Sequence, residues 1–241
     1  IIENNSDNDG GGITCHTSNP YISNVLIQNN TGANNGGIYL SNSDPIIVNT
    51  TIKNNSATGQ NYGGGGIGSW FYSSPVINNC RIIGNSAYLG GGIFVHANDL
   101  ESSGDVTIKN SVISGNTASA NGGGLYSNYN IELNNVTITD NSANFGGAMY
   151  VADGSPTITN CTIAGNSAST ETGGIYVDGS PTIVNSILWN SNTEEITVSN
   201  VGSISVSYSN IEGGQSDGVT GGGSVTWSNG NIESDPLFKD Y

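Results

Sequence analysis

The sequence predicts an all-β protein with the fold of a parallel β-helix, a solenoid of about eight or nine coils. Three observations lead to this prediction: similar units recur about every 25 residues, the runs within them are short and β-branched, and no stretch has helical periodicity. Each unit is expected to be one coil of three short strands, with aliphatic side chains inside, polar side chains outside and asparagine ladders at the corners.

Two columns of asparagine define the register of the coils. Neighbouring members of the first column are 25, 30, 31, 25, 25 and 25 residues apart, and the second column follows 6 residues after the first. The first column contains Asn24, Asn49, Asn79, Asn110, Asn135, Asn160 and Asn185. The second column contains Asn30, Asn55, Asn85, Asn116, Asn141 and Asn166, with Ser191 in the seventh place.

The first asparagine column is expected to lie at a corner of each coil. In one unit the inward positions are Ile158, Asn160, Cys161 and Ile163, so the alternation of strand side chains reverses after Asn160. A residue with left-handed backbone dihedrals produces such a reversal, and Asn adopts them more readily than other residues except glycine. The first column is therefore predicted to point inward and to form a structural ladder of side-chain hydrogen bonds.

A glycine column marks a second corner. It contains Gly11, Gly36, Gly65, Gly91, Gly123, Gly147 and Gly173. Two explanations are open for these glycines: a positive φ angle, or a close approach of backbone that leaves no room for a Cβ atom. The strand after this corner carries an outward aromatic column, Tyr39, Phe94, Tyr126, Tyr150 and Tyr176, with gaps at Thr14 and Gly68.

A single β-helix domain is expected over residues 1–241. Residues 1–190 fit regular coils, whereas 191–241 lose the asparagine register, which is typical of irregular coils or a C-terminal cap. Ile2 already fits an aliphatic column, so the chain starts within a coil. We therefore expect it to be part of a longer protein, or to have its open coil paired with another surface such as a neighbouring copy.

The charge of the chain argues against two classes of partner. Its formal net charge is −15, and only 4 of its residues are Lys or Arg. So few cations cannot neutralise a phosphate backbone or an anionic membrane surface, and no nucleic-acid binding is expected. Membrane insertion is not expected either, because no apolar stretch reaches about 18 residues.

The glycine-corner units resemble those of a known class of bacterial protein. The sequences Gly-Gly-Ala-Met-Tyr-Val at 146–151 and Gly-Gly-Ile-Tyr-Val at 173–177 are similar to repeats of chlamydial polymorphic outer-membrane proteins and of large secreted bacterial surface proteins. The chain as a whole resembles the right-handed parallel β-helix proteins of the pectate-lyase-like superfamily, and residues 230–238 are similar to the end of the β-helix in such surface proteins. The resemblance implies an extracellular, bacterial cell-surface location, and it specifies a fold better than an activity.

The resemblance leaves three functions open: a non-catalytic structural or adhesive surface module, a subunit of a filament stacked end to end, and a polysaccharide lyase or hydrolase. Pectate lyases on this fold use acidic Ca²⁺ ligands with an Arg or Lys base. Arg81 is the single Arg here, and its outward column contains no carboxylate. The sequence therefore favours the non-catalytic module.

The least regular coils contain the candidate ligand-binding residues. A long connection between Ile93 and Val106 contains several polar residues, and the preceding coil places three aromatic residues at the same edge. The set is Trp70, Phe71, Tyr72, His96, Asp99, Glu101 and Asp105, together with Arg81. Exposed aromatic rings beside carboxylates suit glycans, and Trp70 is the expected stacking residue.

No cofactor is expected, with calcium as the one candidate. Asp7 and Asp9 precede a glycine at the spacing of a calcium loop, although the third acidic ligand and the distal Glu of such loops are missing. The three cysteines, Cys15, Cys80 and Cys161, occupy inward positions and are predicted to be buried free thiols.

Overall fold

The predicted parallel β-helix is confirmed. The computed structural model describes residues 1–3, 10–97, 105–190 and 194–238, and these contain parallel strands and no helix. Among them, no helix has the length and apolar character needed to cross a membrane.

The strands follow one another along the chain in a fixed order around the solenoid. They are β1 Ile13–His16, β2 Tyr21–Ser23, β3 Leu26–Gln28, β4 Thr31–Gly32, β5 Ile38–Ser41, β6 Ile46–Val48, β7 Thr51–Lys53, β8 Ser56–Ala57, β9 Ile67–Trp70, β10 Val76–Asn78, β11 Arg81–Ile83, β12 Ser86–Leu89, β13 Ile93–His96, β14 Val106–Lys109, β15 Val112–Ser114, β16 Thr117–Asn121, β17 Leu125–Ser127, β18 Ile131–Asn134, β19 Thr137–Thr139, β20 Ser142–Phe145, β21 Met149–Val151, β22 Thr157–Thr159, β23 Thr162–Ala164, β24 Ser167–Glu171, β25 Ile175–Val177, β26 Thr182–Val184, β27 Ile187–Trp189, β28 Ile196–Val198, β29 Ser203–Ser207, β30 Asn210–Ile211, β31 Val219–Gly221 and β32 Ser224–Trp227.

These strands form four parallel sheets. Sheet I contains β1, β5, β9, β13, β17, β21, β25, β28 and β31, and sheet II contains β2, β6, β10, β14, β18, β22, β26, β29 and β32. Sheet III contains β3, β7, β11, β15, β19, β23, β27 and β30. Sheet IV contains β4, β8, β12, β16, β20 and β24, so the coils that contribute to it have four strands rather than the three predicted.

Three aliphatic columns form the core, as the alternation predicted. Sheets II, III and I each contribute at least one inward aliphatic residue to a regular coil, and partners in neighbouring coils lie directly opposite one another. The fully buried members include Ile47, Ile77, Ile108, Leu133, Ile158, Ile52, Ile82, Ile113, Ile138, Ile163, Ile67, Ile93, Leu125, Met149 and Ile175. The strands β28, β29 and β30 continue the same columns with Ile196, Val206 and Ile211.

The first asparagine column adopts the predicted backbone conformation, but its predicted inward direction is wrong. Asn24, Asn49, Asn79, Asn110, Asn135, Asn160 and Asn185 all have φ between 50° and 57°. Their side chains are exposed, because the single left-handed residue points outward at the corner and the next residue, such as Cys80 or Cys161, takes the inward position. A surface chain of hydrogen bonds nevertheless links Asn49 to Asn79 at 2.8 Å and Asn110 to Asn135 at 2.9 Å.

The second asparagine column forms the buried ladder. Asn30, Asn55, Asn85, Asn116, Asn141, Asn166 and Asn190 are each at most 4% exposed. Ser191, the residue expected in the seventh place, lies outside the described residues, and the ladder continues through its neighbour Asn190.

Every step of this buried ladder repeats the same set of hydrogen bonds. The backbone N–H and the Nδ2 group of Asn85 both donate to Oδ1 of Asn116, at 2.9 and 3.0 Å. Asn116 in turn donates one Nδ2 hydrogen to Asn141 Oδ1 at 2.9 Å and the other to the Ile82 carbonyl at 3.0 Å. The amide dipoles therefore point the same way along the axis, and each bond polarises the next.

Glu195 replaces the next asparagine at the donor end of the ladder. Its Oε1 atom accepts the Asn190 backbone N–H at 2.8 Å, and its Oε2 atom accepts from Asn190 Nδ2 at 2.5 Å. The side chain is fully buried. The pKa of Glu195 is raised to about 8, with burial as the largest cause. The Asn190 hydrogen bonds lower this pKa, and the hydrogen bond with the Glu212 carboxyl raises it.

Close backbone approach explains the glycine column. A Cβ atom on Gly91 would lie 2.5 Å from the carbonyl oxygen of Gly123 in the next coil and 2.5 Å from the Thr117 carbonyl. Positive φ angles occur instead at the preceding glycines, Gly90 and Gly122, at 58° and 69°. Of the two explanations, steric exclusion of Cβ therefore applies to the column itself.

The three cysteines are buried free thiols, as predicted. Burial raises the pKa of all three, so they pack as small apolar side chains.

Substitutions in the two asparagine columns should have very different effects on stability. Asn116→Leu leaves two buried N–H groups of Asn85 without their acceptor, and it leaves the Ile82 carbonyl without its donor. Each unsatisfied group costs about 1–3 kcal/mol. We expect the free energy of unfolding to fall by at least about 3 kcal/mol in denaturant titrations.

Asn135→Gly is the matched control, because glycine keeps the positive φ and removes only an exposed amide. It should change the free energy of unfolding by less than about 1 kcal/mol. Equal losses for the two variants would contradict the assignment of the ladder to the second column.

The stability of the protein should fall as the pH rises from about 4.5 to about 8. The folded state keeps a proton on Glu195 that the unfolded state loses near 4.5, so the protonated carboxyl stabilises the fold fully below that pH and not at all above about 8. The expected slope is up to about 1.4 kcal/mol per pH unit. Glu195→Gln should remove this slope in denaturant titrations at several pH values, whereas Glu171→Gln, at an exposed position, should retain it.

Candidate functional site

The aromatic residues of two successive coils meet at the edge of sheet I. Trp70 ends β9 and His96 ends β13, and the two residues are direct partners in the parallel ladder. Their ring centroids are 5.4 Å apart, and Phe71 lies 6.3 Å from Trp70. Asn128 Nδ2 donates to His96 Nδ1 at 2.8 Å, which holds the imidazole in place.

Trp70 fills the gap that Gly68 leaves in the aromatic column. Its indole lies 4.9 Å from the Phe94 ring, and its Nε1–H donates to Asn35 Oδ1 at 3.3 Å. A side chain at position 68 would collide with the Asn35 amide. As a result, Phe94 is completely buried although it points away from the core.

Tyr62 completes this cluster from the turn between β8 and β9. Its ring is 6.1 Å from Trp70, 6.3 Å from Phe94 and 5.8 Å from His96, and half of its surface remains exposed. We call Tyr62, Trp70, Phe71, Phe94 and His96 the aromatic platform.

A stack of rings extends the platform along sheet I. Phe94, Tyr126, Tyr150 and Tyr176 follow one another at centroid distances of 5.3, 5.5 and 4.9 Å, with planes within 14° of parallel. Tyr150 donates its hydroxyl to Asp178 at 2.6 Å. Burial is the main cause that raises the pKa of Tyr126, Tyr150 and Tyr176, so the phenols of the stack stay protonated and neutral. Asp178 raises the pKa of all three further, through its hydrogen bond with Tyr150 and through its charge.

A groove of about 550 Å³ lies beside the platform. It follows the corner between sheet IV and sheet I, where the chain turns from one sheet to the other at the positive-φ residues Gly90 and Gly122. Its walls include Asn61, Tyr62, Tyr88, Asn121, Tyr126 and Phe145. The register of sheet IV shifts next to Leu89 and Asn121, which both line the groove.

Several polar groups of the groove have no internal partner. Within the described residues, the side-chain amides of Asn61 and Asn121 make no hydrogen bond, and neither do the hydroxyl groups of Tyr62, Tyr88 and Tyr126. The groove therefore presents donors and acceptors to whatever occupies it.

The structure brings together part of the ligand-binding set that the sequence predicts. Trp70, Phe71 and His96 lie in one cluster, and Tyr72 follows them as an exposed ring. Arg81 does not join it, because it lies on β11 of sheet III. Asp105 is exposed just before β14 of sheet II, while Asp99 and Glu101 lie outside the described residues.

The proposed calcium ligands cannot be placed. Asp7 and Asp9 lie outside the described residues. In the part of the chain that is described, no group of three or more His, Cys, Asp or Glu side chains could hold a metal ion.

The side chains beside Arg81 on the strands of sheet III are neutral or basic. Its partners in the neighbouring coils are Thr51 and Val112, and the adjacent outward column on the same strands contains Lys53, Ile83 and Ser114. None of these side chains is an acidic calcium ligand.

The sequence prediction missed Tyr62 and the groove. The unusually long turn of residues 57–64 indicated an irregular coil, but not the direction in which its Tyr would point. Tyr88 and Asn121 belong to sheet IV, which the prediction of three strands per coil did not include.

Comparison with known proteins supports the class of the fold. The model of the Chlamydia polymorphic membrane protein repeat matches residues 110–128. No curated protein and no solved structure matches the chain. The repeat match and the parallel solenoid fit a β-helix protein with repeats similar to those of the chlamydial proteins.

Trp70→Ala should destabilise the protein, because the indole covers Phe94 and bonds Asn35. We expect the free energy of unfolding to fall by about 2–3 kcal/mol, measured by denaturant titration. Tyr21→Ala, which removes an exposed ring on sheet II, should change it by less than about 0.5 kcal/mol. A Trp70→Ala variant as stable as the wild type would show that the indole does not support the platform.

Proposed function

We propose that this chain is a non-catalytic, extracellular adhesive module of a bacterial surface protein. The observation that carries the proposal is the aromatic platform, which places exposed rings on a rigid parallel solenoid. The repeat match to chlamydial polymorphic membrane proteins supports a surface location.

The rigidity of the platform favours binding. Tyr62 and Trp70 are held by ring contacts to Phe94 and His96, so little side-chain freedom remains to be lost when a partner is bound. Tyr72 and Phe71 are 44% and 37% exposed, and exposed aromatic rings contribute strongly to recognition.

The surroundings of Arg81 support a non-catalytic role. A lyase needs a base close to the acidic groups that bind its metal, and Arg81 lies between Thr51 and Val112. Lys109, on the neighbouring sheet, is paired with Glu132 at 3.1 Å.

An adhesion assay tests the proposal. Bacterial cells that display the chain on an outer-membrane anchor should adhere to glass coated with cellulose, xylan, mannan or chitin, or to cultured epithelial cells, more than cells that display the anchor alone. The double variant Phe71→Gly and Tyr72→Ala removes the exposed rings, and Gly keeps the positive φ of residue 71. We expect at least about fivefold fewer adherent cells, a loss of about 1 kcal/mol.

Tyr21→Ala is the matched control, since Tyr21 is an exposed Tyr on sheet II, away from the platform. It should adhere as the wild type does. Adhesion no greater than that of the anchor alone on every surface would contradict the adhesive role. Release of unsaturated uronic-acid ends from pectate or alginate, lost on Arg81→Ala, would overturn the non-catalytic role.

A further inference from the structure

We propose that the groove between sheet IV and sheet I binds a short segment of uncharged oligosaccharide. This inference rests on the proposed adhesive function and names the ligand class and the residues that recognise it. The groove shares Tyr62 with the aromatic platform, so the two surfaces form one continuous face.

The groove has the size and rigidity of a ligand site. Its volume of about 550 Å³ lies within the range of about 300–1,000 Å³ that small-molecule sites occupy. Backbone hydrogen bonds between coils fix its walls, including Gly90 N–H to the Asn121 carbonyl at 3.0 Å and Gly122 N–H to the Phe145 carbonyl at 3.0 Å. The site is therefore formed before a ligand arrives.

Two tyrosine rings are available for stacking on sugar rings. Tyr88 is 38% exposed and makes no ring contact within the described residues, while Tyr62 contacts the platform and keeps half of its surface open. Tyr126 differs, because Phe94 and Tyr150 cover its two faces. It therefore presents only its edge and its hydroxyl group to the groove.

The polar groups match the hydroxyl groups of a sugar. Asn61 and Asn121 each offer an amide donor and an acceptor, and the hydroxyls of Tyr62, Tyr88 and Tyr126 offer both, without a partner among the described residues. A ligand dense in hydroxyl groups satisfies such a set, and a purely apolar ligand leaves these groups unpaired at a cost in affinity.

The charges around the groove favour an uncharged ligand. The side chains that line it are those of Asn, Tyr, Leu, Ala and Phe, with no Asp, Glu, Lys, Arg or His among them. The cations Lys53, Arg81 and Lys109 lie on sheets II and III, whereas Glu171 is the direct strand partner of Phe145. Uronates, sialic acids and phosphorylated sugars would therefore be repelled.

A proline-rich peptide is the competing occupant, because aromatic grooves also bind polyproline helices. Such grooves bind mainly through apolar contact with the proline rings. The unpaired amides of Asn61 and Asn121 favour the sugar, and the peptide is kept as an outcome of the test.

The experiment is calorimetric titration of the full chain with cellotetraose, xylotetraose, mannotetraose and chitotetraose, with tetragalacturonate and a decaproline peptide as comparisons. We expect at least one of the neutral sugars to bind and tetragalacturonate to bind at least tenfold more weakly. Tyr88→Ala should weaken the neutral sugar by about tenfold, and Asn121→Ala by about fivefold, with unfolding transitions unchanged.

Tyr21→Ala provides the matched control and should bind the sugar as the wild type does. No binding of any neutral sugar, tighter binding of tetragalacturonate or decaproline, or unchanged affinity in both Tyr88→Ala and Asn121→Ala would each overturn the proposal. Should Tyr88→Ala unfold, Asn121→Ala and chemical-shift changes at the groove residues on titration decide the question.

The adhesion assay with displayed cells distinguishes failure of this inference from failure of the proposed function. Unchanged affinity of Tyr88→Ala and Asn121→Ala for the neutral sugar, with adhesion of the displayed cells retained, would overturn the groove as the glycan site and leave the adhesive role intact. Cells that fail to adhere, although the purified chain binds a neutral sugar through Tyr88 and Asn121, would overturn the adhesive role and leave the groove assignment intact.

Discussion

The buried asparagine ladder is the constraint on which the rest of the structure depends. Each of its amides must meet the next coil at hydrogen-bond distance, so every coil must return to the same point whatever its length. The coils that span 30 and 31 residues between ladder positions satisfy this by extending their loops, and the strands on both sides stay in register. The turn that contains Tyr62 is one of these extensions. The ladder therefore fixes the core and also decides where extra residues, and with them a binding surface, can be accommodated.

The same ladder explains why a carboxyl group is buried at its donor end. Asn190 directs a backbone N–H and an amide N–H at one point, and an asparagine there would accept both with a single oxygen. Glu195 accepts them with two oxygens, and its proton is shared with Glu212 rather than exposed to water. A charged group at this position gains from the aligned amide dipoles but loses its hydration, and burial is the larger effect. The two carboxyl oxygens therefore leave neither Asn190 donor unpaired, while burial favours the protonated form of Glu195.

The sequence was sufficient to predict the fold, the three aliphatic columns and the left-handed asparagines, because each follows from local alternation or from the φ preference of Asn. It could not decide which asparagine column points inward. Asn110 and Asn116 recur with the same period, and only the geometry of the corner shows that the first turns outward and the second inward. Trp70 and His96 were predicted as neighbours because coil register is readable from the repeats. Tyr62, Tyr88 and Glu195 were not, since a long turn, a fourth sheet and an irregular coil place them.

The separation of inward and outward columns has a consequence for function. Inward positions such as Ile82 and Asn116 carry the stability of the coil, whereas Tyr88 and Asn121 lie on the same coils and face outward. Replacement of an outward side chain changes the groups that line the groove without disturbing the ladder. This holds for side chains that do not pack against a buried neighbour as Trp70 packs against Phe94. A solenoid of this kind can therefore alter its ligand preference by outward substitutions along one corner, while the glycines that bring sheet IV against sheet I keep the groove at a constant shape.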